Sequence, residues 1–210
     1  MSKKKFRHNG FHPPNDQGLY EARREHDSCG IGAVVNISGQ RSHQILEYAR
    51  QVIENLHHRG AAGSDGITGD GGGILFQIAE SFFLPVAEAA GIILPSNHPY
   101  GVGMIFLPKN KKLHAQCQKH LEDATEYYGL RVLGWREVPC DPSCLGELAL
   151  RAEPCIRQVF IDGGGRDEEE LDLKLYMIRN RAAKTVQEIV GKTANDFYIC
   201  SLSCRTVQAE

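Results

Sequence analysis

The sequence predicts a mixed α/β chain, and three observations carry that prediction. Short apolar runs bounded by glycine recur along the chain, segments with helical apolar spacing alternate with them, and a 41% hydrophobic content over 210 residues is enough for a well-buried core. Residues 1–28 are polar, contain Pro13-Pro14 and lack apolar periodicity, so they read as a removable leader. The folded part is expected over 29–210. From Cys29 to Ile37 the run Ile31, Ala33, Val34, Val35, Ile37 suits a buried strand, and Ser38-Gly39 turns it into a helix marked by Ile45, Leu46, Ala49, Val52, Ile53 and Leu56. That helix should end near Gly60, with His57, His58 and Arg59 in its last turn, where cationic side chains suit the helix dipole. Gly69-Asp70-Gly71-Gly72-Gly73 then reads as a tight turn entering a second strand, Ile74–Ile78, packed as a hairpin beside Cys29. Further on, Leu113, Cys117, Leu121, Ala124 and Tyr128 space as one helix, and Leu171, Leu175, Ile178, Ala182 and Ile189 as a longer one from Asp167. Strands are expected at 101–107, 131–138, 155–161 and 196–202.

Composition narrows the function classes. A formal charge of −2, with the only basic run at Lys3-Lys4-Lys5, gives no electrostatic case for nucleic acid. No apolar run approaches the roughly 18 residues that cross a bilayer, and the leader lacks the apolar centre of a secretory signal, so a cytoplasmic protein is expected. Seven cysteines, an odd number, fit a reducing compartment, most of them as small buried hydrophobes. The Cys140-x-x-x-Cys144 and Cys200-x-x-x-Cys204 spacings match no compact zinc or ferredoxin run, so no metal is expected. The glycine run is not a phosphate loop either, because it lacks the Gly-Lys-Ser/Thr that opens a helix.

The chemistry centres on Asp27-Ser28-Cys29-Gly30-Ile31-Gly32. If the Ser28–Cys29 bond is cut, Cys29 becomes the first residue, and its own α-amine can serve as base to its thiol. Free α-amines titrate near ~7.7–8 and thiols near ~8.5, so both exchange protons at cellular pH. Gly30 and Gly32 would let substrate or neighbouring groups approach closely. A buried strand cysteine behind a floppy tail fits the same short pattern.

Longer motifs decide between the two readings. Cys29-Gly30, His57-His58-Arg59-Gly60-Ala61-Ala62-Gly63, Thr68-Gly69-Asp70-Gly71-Gly72-Gly73-Ile74-Leu75, Gly101–Pro108, Gly134–Pro139, Glu153–Phe160 and Phe197–Ser203 occur in order through nearly the whole chain. Together they closely resemble the start of the glutaminase domain of glutamate synthase, a class II glutamine amidotransferase of the N-terminal-nucleophile hydrolase superfamily. The resemblance implies an αββα sandwich, incomplete at the C-terminus, with two sheets enclosed by helices. It implies Cys29 as catalytic nucleophile after cleavage at Ser28–Cys29, Arg59 close to that nucleophile and to substrate, Gly30 beside it, and His58, Gly60 and Asp70 in supporting turns. L-glutamine would be the substrate. No cofactor is expected in this chain, whereas FMN and an iron–sulfur cluster are implied for a complete enzyme, as are the remaining synthase domains and a reductase subunit or ferredoxin as partners. Neither nucleic acid nor a membrane is among the expected partners.

The family's Arg-Phe-Ser-Thr-Asn and Asn-Gly-Glu segments, which supply substrate and oxyanion contacts, occur nowhere in these 210 residues, so the resemblance describes a truncated glutaminase domain with little activity of its own. Two other classes stay open. A cysteine protease would pair Cys29 with a distant histidine such as His98 or His120, and a noncatalytic interaction module would retain only the first half of the fold.

Overall fold

A computed structural model describes residues 30–56, 60, 65–69, 71–191 and 196–209. Its main element is a four-stranded antiparallel sheet in the order β3-β4-β2-β5, formed by Tyr100–Leu107 (β2), Arg131–Glu137 (β3), Cys155–Asp162 (β4) and Tyr198–Ser203 (β5). A second sheet pairs Ile74–Gln77 (β1) with Thr206–Ala209 (β6), again antiparallel. The helices are His43–Asn55 (α1), Glu80–Ala89 (α2), Lys111–Tyr127 (α3), Glu147–Ala152 (α4) and Glu168–Ile189 (α5).

Period-two alternation in the central strands separates two cores. Ile105 and Leu107 of β2, with Val159 and Ile161 of β4, face α3 and α5 and pack on Leu121, Leu171, Leu175 and Ile178, all fully buried. On the opposite face Tyr100, Val102 and Phe160 meet Phe83 and Ala87 of α2 and Val207 of β6, with Phe76 of β1 at the margin. Helix α1 lies against the outer side of β1, where Gly72 reaches Ile53. The order of layers is therefore helices, four-stranded sheet, two-stranded sheet and helix, the mixed antiparallel architecture expected for the N-terminal-nucleophile hydrolase fold.

Local chemistry places the long helices where their spacing predicted them. Asn110 caps α3 by accepting from the Lys112 and Leu113 amides, and Asp167 caps α5 by accepting from Glu170 N at 2.9 Å. Glu168, Glu169 and Glu170 then fill the first turn of α5, where the dipole favours negative charge. The two sheets are joined by a corner at Ser203-Cys204-Arg205. Asp172 of α5 accepts from Ser203 Oγ and Cys204 N, Ser203 Oγ in turn accepts from the Arg205 and Thr206 amides, and Arg205 O accepts from Ile78 N.

Three features depart from the sequence reading. Residues 30–37 were expected as a buried strand, yet they carry no ladder and leave Ile31 and Ile37 about nine-tenths or more exposed. Apolar alternation fits a strand, but a strand also needs an edge to pair with, and among the described residues none pairs with this segment. Strand β1 was expected in a hairpin beside Cys29; its partner is β6, from the far end of the sequence. Helices α2 and α4 and strand β6 were not anticipated. In α2, Pro85 inside the helix masks the usual signal.

Candidate functional site

The described parts of two predicted motifs, the Cys29 segment and the glycine run, meet at the C-terminal end of α1. Gly30, the neighbour of Cys29, lies against Leu56, so that a Cβ there would sit 3.0 Å from Leu56 Cδ2. One turn back, a Cβ on Gly32 would sit 2.3 Å from Val52 Cγ1, a clash that only glycine avoids. On another side of the same turn Gly72, from the glycine run, approaches Ile53 so closely that a Cβ there would sit 3.3 Å from Ile53 Cγ2, tighter than ordinary packing. The helix was expected to end near Gly60, with His57, His58 and Arg59 in its last turn; it ends instead at Asn55 with Leu56 as its C-cap, and residues 57–59 lie outside the described residues. Gly71 supplies the turn into β1 with φ +83°, a conformation favouring glycine.

Of the predicted site residues, Gly30 and Gly60 are described, and both are exposed. Ser28, Cys29, His58, Arg59 and Asp70 lie outside the described residues.

The chain between Gly60 and the glycine run is held by a residue that the sequence reading missed. Asp65 accepts from the Ile67 and Thr68 amides, from Thr68 Oγ1 at 2.5 Å and from Leu148 N at the start of α4. The Thr68 hydroxyl above all, together with these amides, holds the Asp65 carboxyl at about 2. The Asp65-Gly66 pair is the turn signal that could have marked it. Gly146 makes the docking possible, since a Cβ there would meet Thr68 Oγ1 at 2.4 Å.

Three of the other thiols are held above the ordinary thiol range. Burial pushes Cys117 up to about 11, and burial with the neighbouring Asp172 pushes Cys204 up to about 12. Burial also raises Cys140. The expectation that most cysteines are buried holds for Cys117 and Cys200, while Cys155 and Cys204 are half-buried and Cys140 and Cys144 are exposed around a short 3₁₀ turn at Pro142–Cys144. Among the described residues no cluster of three or more His, Cys, Asp or Glu could hold a metal ion, and no helix is long and apolar enough to cross a membrane. The two histidines considered for a protease pairing sit elsewhere. His120 is on α3, across the four-stranded sheet from α1, and His98 Nε2 donates to Asp162 Oδ1 at 2.7 Å.

Comparison with known proteins gives this geometry a context. The family described as Glutamine amidotransferases class-II matches residues 29–209. The chain is 39% identical to the Glutamate synthase [NADPH] large chain of Bacillus subtilis over 92% of its own length and 12% of that protein's. It is 37% identical to Glutamate synthase [NADH] of Saccharomyces cerevisiae, over 92% of this chain and 9% of the relative, and 34% identical to Ferredoxin-dependent glutamate synthase 2 of Synechocystis, over 87% and 11%. The chain thus spans about a tenth of the length of these relatives. With the family match running from Cys29 almost to the last residue, over a mixed antiparallel sandwich of the expected kind, the chain belongs to the class-II glutamine amidotransferases.

Proposed function

We propose that this chain is the glutaminase portion of a glutamate synthase, and that Cys29, freed by cleavage after Ser28, is its nucleophile. The observation that supports this most is the convergence of the Cys29 segment, the end of α1 leading to His57–Gly60, and the glycine run around one helical turn. The family match beginning at residue 29 supports the same boundary. In this reading Cys29 Sγ attacks the side-chain amide carbon of L-glutamine while its α-amine takes the thiol proton and passes it to the departing ammonia. Water then hydrolyses the thioester, releasing glutamate and restoring the thiol. Arg59 holds the substrate, Gly30 leaves space beside the reacting carbon, and His58, Gly60 and Asp70 shape the flanking turns. The amidotransferase domain takes no cofactor. In a complete glutamate synthase the ammonia would aminate 2-oxoglutarate, and electrons would come from a reductase subunit or ferredoxin.

The test is the mature N-terminus together with covalent labelling. Intact mass of the expressed chain should show loss of residues 1–28, and in a complete synthase a diazoketone analogue of glutamine should label Cys29 alone. A mature start at any other residue, or preferential labelling of the exposed Cys140, would overturn the assignment. Cys29→Ser in the complete enzyme should abolish glutamine-dependent synthesis and leave ammonia-dependent synthesis intact.

A further inference from the structure

A cleft of about 420 Å³ opens at the end of the sandwich remote from Gly30, within the size range of small-molecule sites. Arg41, on its rim, precedes the first turn of α1, whereas Gly30 touches Leu56 at the other end of that helix. Thirteen helical residues separate the two places by about 20 Å, so the cleft lies outside the proposed catalytic site.

Most charges around the cleft are already matched. Arg205 pairs with Glu168 and Asp172, and His98 with Asp162. That leaves Arg41 and Glu80, one cation and one anion, neither of which has an ion-pair partner among the described residues. Tyr100 also lines the cleft. It is 7% exposed, and its buried hydroxyl has no hydrogen-bond partner among the described residues, whereas buried polar groups are nearly always bonded. Burial first, and the charge of Glu80 second, raise the Tyr100 phenol. Ile78, Leu84 and Pro99 add apolar wall.

We propose that this cleft binds a zwitterionic α-amino acid with an apolar side chain, its carboxylate on Arg41, its ammonium on Glu80 and its side chain against Ile78, Leu84 and Pro99. A simple anion would meet the carboxylate of Glu80, and a simple cation the guanidinium of Arg41. Arg41 and Glu80 are both exposed, and so hydrated when no ligand is bound; a ligand carrying both charges pairs with both at once, and Tyr100 Oη then gains an acceptor.

L-leucine is the probe, titrated calorimetrically into the full 210-residue chain. It has no side-chain amide, so the titration does not depend on Cys29 chemistry. Saturable binding is expected, weaker by about tenfold or more for isocaproate and isoamylamine, which each keep only one of the two charges, and weaker by a similar factor in Arg41→Gln and Glu80→Gln. Tyr100→Phe should leave the ligand-free Tm unchanged or raised while reducing the rise in Tm that leucine produces. Absence of saturable leucine binding at millimolar concentration, equal binding of isocaproate, or unaltered binding in both charge variants would overturn the proposal.

Discussion

At the scale of single residues, Asp162 carries the clearest pH signature. His98 first, then the Gly164 amide and Arg131, bond its carboxylate and hold it at about 2, below the ordinary 3.8. A carboxyl depressed in the folded state stabilises the fold fully above its unfolded value, and that contribution is lost as pH falls through the folded one. Stability should therefore be flat with respect to this group above about pH 5 and decline from about pH 4 toward pH 2. Asp162→Asn should show a shallower acid decline, read from chemical denaturation at a series of pH values; an unchanged slope would mean that the pairing is not made in solution. None of this was legible beforehand, because His98, Arg131 and Asp162 come from distant parts of the sequence and no local pattern joins them. The proposed nucleophile is the opposite case. Cys29 stood out through its immediate neighbours and the motifs that follow it, which is local information.

Among the elements, α1 is the piece on which the proposed site is assembled, and Gly32 is its tightest contact. A methyl group placed 2.3 Å from Val52 Cγ1 forces either the 30–37 segment or the helix to shift, so Gly32→Ala should destabilise the chain by about 1–3 kcal/mol. Val52→Ala in the same chain should recover much of that loss, because it removes the clashing atom. Thermal unfolding of the two single variants and the double variant measures the coupling. A strictly additive pair would show that the segment does not sit on α1. Helices α1, α3 and α5 were readable because an apolar stripe at helical spacing needs only one buried side, and caps such as Asp167 mark its start. Strands β2 to β5 were readable for a similar reason, being apolar runs between turns. Residues 30–37 show where that logic stops: their composition is strand-like, but a ladder is a property of two segments, and sequence spacing describes only one. Strand β6 is too short, at four residues, for its alternation to register.

For the whole molecule, the four-stranded sheet is the stable unit, since it buries α3 and α5 on one face and the smaller sheet on the other. Leu175 sits fully buried in the larger core above Gly101, whose missing side chain lets it approach the sheet. Leu175→Ala should remove about 2–5 kcal/mol, a large part of the ~5–15 kcal/mol typical of a domain, as measured by urea unfolding. A loss below about 1 kcal/mol would mean that the helix layer is loosely seated. The layer order itself came from the family resemblance, because apolar spacing identifies a buried face without naming what covers it. The pairing of Ile74 with Ala209 also bears on the order in which the chain can acquire its shape. A growing polypeptide presents β1 early, yet the edge that β1 pairs with emerges only after the intervening residues, which carry β2 to β5, have left the ribosome. Until then the smaller sheet, and with it the anchored exit of the glycine run, has no second strand. Closing so large a loop makes this the slow, late step of folding. The proposed cleavage at Ser28–Cys29, if it requires the assembled junction, would then follow synthesis of β6, leaving the proposed nucleophile masked until that strand has emerged.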